Sequence, residues 1–285
     1  MAQDLYIWAQ TVRIGWLYLL VLPVVTVANL LRYAVTSGGL FLYFYGWRKS
    51  SQPKIQTQLP DRSLIRAEIA IALRAILFTT LFNSVVGVAI LKGVTKVYIP
   101  VLEMGWWYLP FSFFLLLITH DLFHYWMHRL CHDIWWIYRR FHSIHHRFLN
   151  PTPFCDWSMH PLDALLNSIF PMIFIFVVPV HVYVFFGYLS FLLFMIATGH
   201  TGFEVFPRAV GRSSGLRLLG NVNMHNLHHT RVTRNFGLYT NVWDRVWGTF
   251  VSDLLQDSPN HEPKAHQVNE QVVETASELP EINGF

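Results

Sequence analysis

The chain has 285 residues and a formal charge of +4, and 53% hydrophobic, 16% aromatic and only 13% charged residues make it too apolar for an ordinary soluble globule. Its arginines gather around histidine clusters instead of forming a basic stripe, which argues against a nucleic-acid-binding module. Two cysteines, Cys131 and Cys155, cannot build a disulfide framework, so reduced thiols facing the cytoplasm are expected.

The first apolar run, from about Ile14 to Leu31, follows only Asp4 and Arg13 as charges. No small-x-small cleavage site comes after it, so it reads as a retained span and not a leader. A basic loop with Arg32, Arg48, Lys49, Lys54, Arg62 and Arg66 follows. A second run covers about Ile69 to Leu91, interrupted by Arg74, and a third about Val101 to Thr119. The stretch from about Leu162 to Thr198 is too long for one span of roughly 20 residues. Pro179 and Gly187 near its middle suggest a re-entering hairpin of two helices.

The histidine region carries Arg129, Arg139, Arg140 and Arg147, then Arg208, Arg212, Arg217, Arg231 and Arg234. The positive-inside tendency puts it on the cytoplasmic side together with the first basic loop, against the weaker pull of Lys92 and Lys96. The expectation is an all-α integral membrane protein with about four to five transmembrane helices and a cytoplasmic helical cap, rich in histidine, holding a dimetal site. Residues 1–100 supply amino-terminal spans and a cytoplasmic loop, and 101–251 the catalytic region. Residues 252–285, polar and acidic without apolar periodicity, form a mobile tail.

Three boxes carry the chemistry: His128-Arg-Leu-Cys-His132, His142-Ser-Ile-His145-His146 and His225-Asn-Leu-His228-His229. On helices, offsets of three and four share a face. Imidazole is a good ligand for iron, copper, zinc or nickel, and these eight histidines exceed what one tetrahedral zinc needs. Two metals sharing a site fit better. His120, His124, His128 and His132 form a ladder whose steps turn a helix by about 400° and whose length is about 18 Å. A straight helix cannot bring all four to one metal pair, so His128 and His132, nearest the polar end, are the expected ligands. His120 and His124 lie deeper, either functional in their own right or hydrogen-bonding behind the ligands.

Two single histidines complete the candidate set. His160 precedes the hairpin in His160-Pro-Leu-Asp163, and His200 closes it in His200-Thr-Gly-Phe-Glu204. Both are expected as ligands, with Asp163 and Glu204 as orienters of ligand N–H groups and Glu204 alternatively a ligand or a cap. His181 falls at the far turn, and His261 and His266 in the tail; none is expected at the site. No catalytic residue is expected apart from the metal ligands.

From Thr119 to Phe250 the chain resembles the fatty acid hydroxylase/sterol desaturase superfamily. The likeness rests on Asp121-Leu-Phe-His124-Tyr-Trp-Met-His128-Arg-Leu-Cys-His132, Phe141-His-Ser-Ile-His-His146 and His225-Asn-Leu-His-His229. It extends to Asn235-Phe-Gly-Leu-Tyr-Thr-Asn-Val-Trp-Asp-Arg-Val-Trp-Gly-Thr-Phe250, similar to the family's closing WDRxxGT signature. The resemblance implies a membrane-bound non-haem di-iron enzyme using O2 and two external electrons, with zinc a possible occupant in purified material. Asn150-Pro-Thr-Pro-Phe154 followed by His160-Pro-Leu-Asp163 is most similar to C-5 sterol desaturases. His124 and His200-Thr-Gly-Phe-Glu204 are also similar to C-4 methylsterol oxidases.

The expected activity is therefore desaturation of a sterol or sterol-like lipid. Hydroxylation or methyl oxidation of a sterol, fatty acyl chain or carotenoid is the alternative. No fused cytochrome b5-like domain fits the remaining length. Electrons are expected from a separate donor such as cytochrome b5 or ferredoxin with its reductase, docked by arginines around the boxes. The membrane would be the endoplasmic reticulum in a eukaryote or the inner membrane in a bacterium. A metal transporter or sensor would instead place ligands along a crossing path within the spans, which the grouping of boxes at one face disfavours.

Overall fold

The computed structural model describes residues 2–47, 55–56, 60–205, 218–220 and 222–251. Arg48, Lys49, Lys54, Arg208, Arg212, Arg217 and the tail with His261 and His266 lie outside the described residues.

A short helix α1 (Ala2–Thr11) leads into α2 (Ile14–Trp47). The 34 residues of α2 rise about 51 Å, well beyond a hydrocarbon core of about 30 Å. Arg32 does not end the helix as the basic-loop reading expects. Two π-helical stretches, Ala34–Gly38 and Leu42–Trp47, carry the chain on. This extension is held by protein partners: Tyr33 donates to the Phe154 carbonyl (3.0 Å), Ser37 to Asp156 Oδ2 (2.9 Å) and Tyr45 to the Thr201 carbonyl (2.9 Å).

Helix α3 (Arg62–Leu91) begins where Asp61 accepts the Leu64 N–H at 2.7 Å, the usual carboxylate N-cap. It packs along α2, and small residues, Ala72, Ala75, Thr79, Thr80 and Ser84, are prominent among those it buries. Small side chains let membrane helices approach closely, and Gly87 shows how closely: a Cβ there would stand 2.9 Å from Val21 Cγ1. Lys92, which pulled against the charge asymmetry, donates to the carbonyls of Ala9 (2.8 Å) and Val12 (2.7 Å) and so fastens α1 to the end of α3.

The two-residue strand β1 (Val97–Tyr98) pairs in parallel with β2 (Val180–His181). The pair is the one sheet among the described residues, beside a single isolated bridge between Leu219 and Thr240. Between the two strands runs α4 (Tyr108–Asp133), starting just after Gly105 turns the chain at φ 80°. The third apolar run and the histidine ladder are thus one continuous helix. Next come three abutting helical pieces, Trp135–Ile137, a π turn Tyr138–His142 and Ser143–His146, together α5.

A 3-10 segment, Pro153–Trp157, precedes α6 (Pro161–Val177) and α7 (Val182–Gly199), the expected hairpin. The break lies at Val178–His181, where the β2 pairing satisfies the backbone; Gly187 is helical. At this far turn His181 caps α7, accepting the Tyr183 N–H at 3.2 Å. Helices α8 (Val222–Arg231) and α9 (Val242–Val246) finish the described chain. Three helices, α2, α3 and α7, are long and apolar enough to cross a membrane, and α6 is a shorter apolar helix.

Candidate metal centre

Four helices deliver nine imidazoles to one place, and they sort into two groups. His128, His132, His142, His146 and His228 form the first, and His145, His200, His225 and His229 the second; ligand nitrogens within each lie within 4.8 Å of one another. Two nitrogens on one ion at about 2.1 Å can be at most about 4.2 Å apart, so both groups are close to coordination geometry.

The HxxHH pattern explains the sorting. Consecutive helical residues point about 100° apart, whereas residues four apart share a face. In the second box, His142 and His146 join the first group and His145 the second. In the third box the roles exchange: His225 and His229 join the second group and His228 the first. Each doublet therefore divides between the two positions, and the boxes interlock.

The other ring nitrogen of most ligands is tied down. His128 Nδ1 lies 3.0 Å from the Phe236 carbonyl, His228 Nδ1 2.7 Å from that of Arg234 and His200 Nδ1 2.8 Å from that of Ile196. A carbonyl only accepts, so Nδ1 carries the proton and Nε2 presents a bare lone pair to the site. His142 Nδ1 donates to Asp163 Oδ2 at 2.8 Å, with both side chains buried.

These Nε2 atoms nevertheless crowd together. His128 and His142 approach to 3.1 Å, His142 and His146 to 3.2 Å, His200 and His225 to 2.9 Å, and His225 and His229 to 3.2 Å. The buried Nε2 atoms of His132 and His228 have no hydrogen-bond partner at all. Lone pairs facing each other without protons are unfavourable, and a cation between them removes the conflict. The donor set thus fits metal ions. Burial, reinforced by neighbouring imidazoles, pushes His128 down to about 3 and holds His145, His146, His225, His228 and His229 well below the ordinary range; burial alone takes His200 down to about 4. The neutral form is the one that ligates.

The closing signature acts as a clamp. Asp244 accepts the N–H groups of Phe236 and Gly237 (both 2.8 Å) and the Thr249 hydroxyl (2.7 Å). It thereby holds the 234–237 turn, whose carbonyls orient His228 and His128. Asp121, on α4, accepts the Tyr239 N–H at 2.8 Å and the Thr240 hydroxyl at 2.5 Å. Glu68, buried on α3, takes the Thr152 N–H (2.9 Å) and its hydroxyl, and so anchors the loop below the second box. Glu68 had only one signal in the sequence, a carboxylate at the threshold of the second apolar run.

His160 stands apart from both groups. Its Nδ1 accepts the Leu162 N–H at 3.1 Å, capping α6, and its ring packs 4.8 Å from Phe141. Pro161 fixes that helix start, and His160 serves as its N-cap. Glu204 is half-buried and belongs to neither group. His120 Nδ1 meets the Tyr188 hydroxyl at 2.6 Å, and that hydroxyl meets Tyr239's at 2.9 Å. His124 is buried with an unpartnered Nδ1 and lines a cavity with His128, His142, His145, His200 and His225. Beyond the histidines the cavity wall is largely apolar, with Met172, Leu189, Leu192 and Met195. Both cysteines are free and buried.

Interlocked all-histidine groups that could hold metal ions thus share a largely apolar cavity, in a chain with three helices long and apolar enough to cross a membrane. The fatty acid hydroxylase family model matches residues 113–249. A putative Δ7-sterol-C5(6)-desaturase 2 of Arabidopsis thaliana is 26% identical over 223 residues, covering 77% of each chain. A Δ7-sterol 5(6)-desaturase of Aspergillus fumigatus is 30% identical over 73% of this chain and 56% of its own length. Lathosterol oxidase of Mus musculus is 32% identical over 56% of this chain and 52% of its own length. The chain therefore spans only about half the length of the last two. No solved structure matches significantly. Over residues 113–249 the chain is similar to the fatty acid hydroxylase family, and these curated relatives are named as sterol C5(6)-desaturases and a lathosterol oxidase.

Proposed function

We propose that the chain is an O2-dependent, non-haem di-iron enzyme that desaturates a sterol or sterol-like lipid within the membrane. The observation that carries this reading is the pair of histidine groups, five and four nitrogens, opening on one largely apolar cavity. His128, His132, His142, His146 and His228 would hold one iron, and His145, His200, His225 and His229 the other. When bound, the irons supply an O2-derived oxidant strong enough for an unactivated C–H bond.

The protein's part is geometric and electrostatic. The carbonyls of Phe236, Arg234 and Ile196 fix the tautomers of His128, His228 and His200. Asp163 places the one carboxylate that hydrogen-bonds a ligand among the described residues. The apolar wall excludes water, which limits side reactions of the oxidant, and admits the substrate's hydrocarbon.

The membrane arrangement follows the same reading. Helices α2, α3 and α7 cross, α6 pairs with α7 as a hairpin, and the apolar half of α4 brings the number of spans to five. Exposed Arg139, Arg140 and Arg147 beside the boxes favour a cytoplasmic position for this face. They suit an acidic electron carrier of the cytochrome b5 or ferredoxin kind. Hydroxylation is the second reading, favoured by the description of the matching family model; it differs in returning oxygen to the substrate carbon instead of removing a second hydrogen.

The test is lipid profiling by mass spectrometry of aerobic cells given sterols and expressing wild type or His228→Ala. A product two hydrogens lighter, present only with wild type, is expected. A product heavier by one oxygen would replace desaturation with hydroxylation, and an unchanged product in the variant would remove His228 from the site.

A further inference from the structure

The cavity has a second polar region, formed by the seam between two membrane helices. Asn29 and Arg32 on α2 and Asn83 on α3 line the same cavity as His124 and the metal-group histidines. Residues three apart on a helix share a face, so Asn29 with Arg32, and Thr80 with Asn83, form two facing rungs. The Asn29 amide donates to Thr80 Oγ1 at 3.0 Å, and its oxygen accepts from Arg32 Nη2.

That single bond leaves most of the guanidinium's five donors without partners. Arg32 makes no ion pair among the described residues. Asp156, a carboxylate on the same cavity wall, is instead held by the Ser37 hydroxyl (2.9 Å) and the Trp157 N–H (2.7 Å). Asn83 has no hydrogen bond among the described residues. Unpaired polar groups at membrane depth are costly and mark places where a ligand or pathway completes them. The same wall carries apolar residues, among them Ile76, Met172 and Leu189. A ligand filling the cavity therefore meets the histidine groups, an apolar wall and a guanidinium beside an amide.

We propose that Arg32 and Asn83, with Asn29 aiming the guanidinium, form the subsite that grips the polar oxygen of the lipid substrate, and that this oxygen is the hydroxyl of a sterol. Arg32 donates to the hydroxyl oxygen and the Asn83 side-chain carbonyl accepts its proton. The distance from this grip to the histidines then selects which carbon is presented to the metals, making Arg32 and Asn83 specificity-determining residues. The proposal rests on the reading of the cavity as a lipid substrate site.

The test is equilibrium binding to purified protein in detergent. A tritiated Δ7-sterol with a free 3-hydroxyl is the probe; unlabelled hydroxysterol and its 3-deoxy counterpart are the competitors. Wild type should prefer the hydroxysterol about 10-fold or more, the range of a charged hydrogen bond. Arg32→Met keeps the stem and suits a membrane helix; it should bind both competitors equally, at the wild-type level for the deoxy compound. Asn83→Ala should cut the preference by about threefold. Should Arg32→Met not accumulate, Arg32→Lys, which keeps the charge without the fork, should show an intermediate preference.

A preference surviving intact in these variants would overturn the subsite. Tighter binding of a long-chain fatty acid than of the hydroxysterol by wild type, erased in Arg32→Met, would overturn the hydroxyl assignment. A hydroxyl preference that disappears in Arg32→Met while wild-type cells convert no sterol would support the subsite and sink the desaturase reading. Sterol conversion with the preference unchanged in Arg32→Met would do the reverse.

Discussion

Replacing Asp163 by Asn should empty one metal position and leave the other filled. Asp163 Oδ2 sits 2.8 Å from His142 Nδ1, and the two side chains are 1% and 4% exposed. Imidazoles supply no negative charge to the proposed site, so this carboxylate is the counter-charge that reaches a candidate ligand directly. Its hydrogen bond fixes the ring of His142. Asn167, which donates to Asp163 Oδ1 at 3.1 Å and to its backbone carbonyl at 2.9 Å, keeps the side chain oriented, so Asp163→Asn preserves shape while removing charge. A charge-assisted hydrogen bond is worth about 1.5–3 kcal/mol, or about 10- to 150-fold in affinity. The loss should fall on the group of His128, His132, His142, His146 and His228. The assay is metal content per chain by inductively coupled plasma mass spectrometry after dialysis against graded chelator. Wild type should hold two ions to a chelator concentration at which Asp163→Asn holds one. Two ions retained with unchanged resistance would refute the role of this carboxylate. Equal loss of both would show that the two groups are not separable.

Three further outcomes follow from the geometry. His160→Ala should keep both metal ions, because its ring caps α6, and should cost about 1 kcal/mol of stability, the usual worth of an N-cap; loss of an ion would return His160 to the ligand set. His229→Ala should empty the second position while His132→Ala empties the first, a contrast read by the same metal analysis; loss of the same ion in both would break the five-and-four division. The metal-free protein should weaken towards acid. His128 and His200, at about 3 and about 4 in the fold, lie below the unfolded value of about 6.5, so their contribution is complete above that value and is lost as pH falls towards the folded values. Each costs about 1.4 kcal/mol per pH unit within that window. Thermal unfolding in detergent should therefore shift to lower temperature between pH 7 and pH 5, and a flat profile would mean that the imidazoles are solvated.

What the sequence disclosed and what it withheld divide along a physical line. Local periodicity carried the hairpin: an apolar run twice the length of a span must break, and it breaks at Val178–His181. Spacing carried the boxes, since residues three and four apart meet on a helix without help from the rest of the fold. The division into five and four ligands was written in the same pattern, because adjacent histidines cannot face one ion. It shows only in the fold, where the second and third boxes meet with their roles exchanged. His160 was misjudged for the opposite reason. Its neighbour Pro161 and the Leu162 N–H give it a local partner, and a histidine with an N-cap position to fill does not need a metal. His200, equally isolated in sequence, has no such outlet: it ends α7, where only the Ile196 carbonyl takes Nδ1. Its Nε2 is left pointing at His225 and His229. The carboxylates Asp121, Asp244 and Glu68 show the same logic at longer range. Asp121 and Glu68 close contacts between residues 118 and 84 positions apart, which no short window along the chain could display. An isolated ionisable side chain in an apolar stretch thus signals a partner without identifying it, and for Arg32 the fold supplies a cavity where the partner should be.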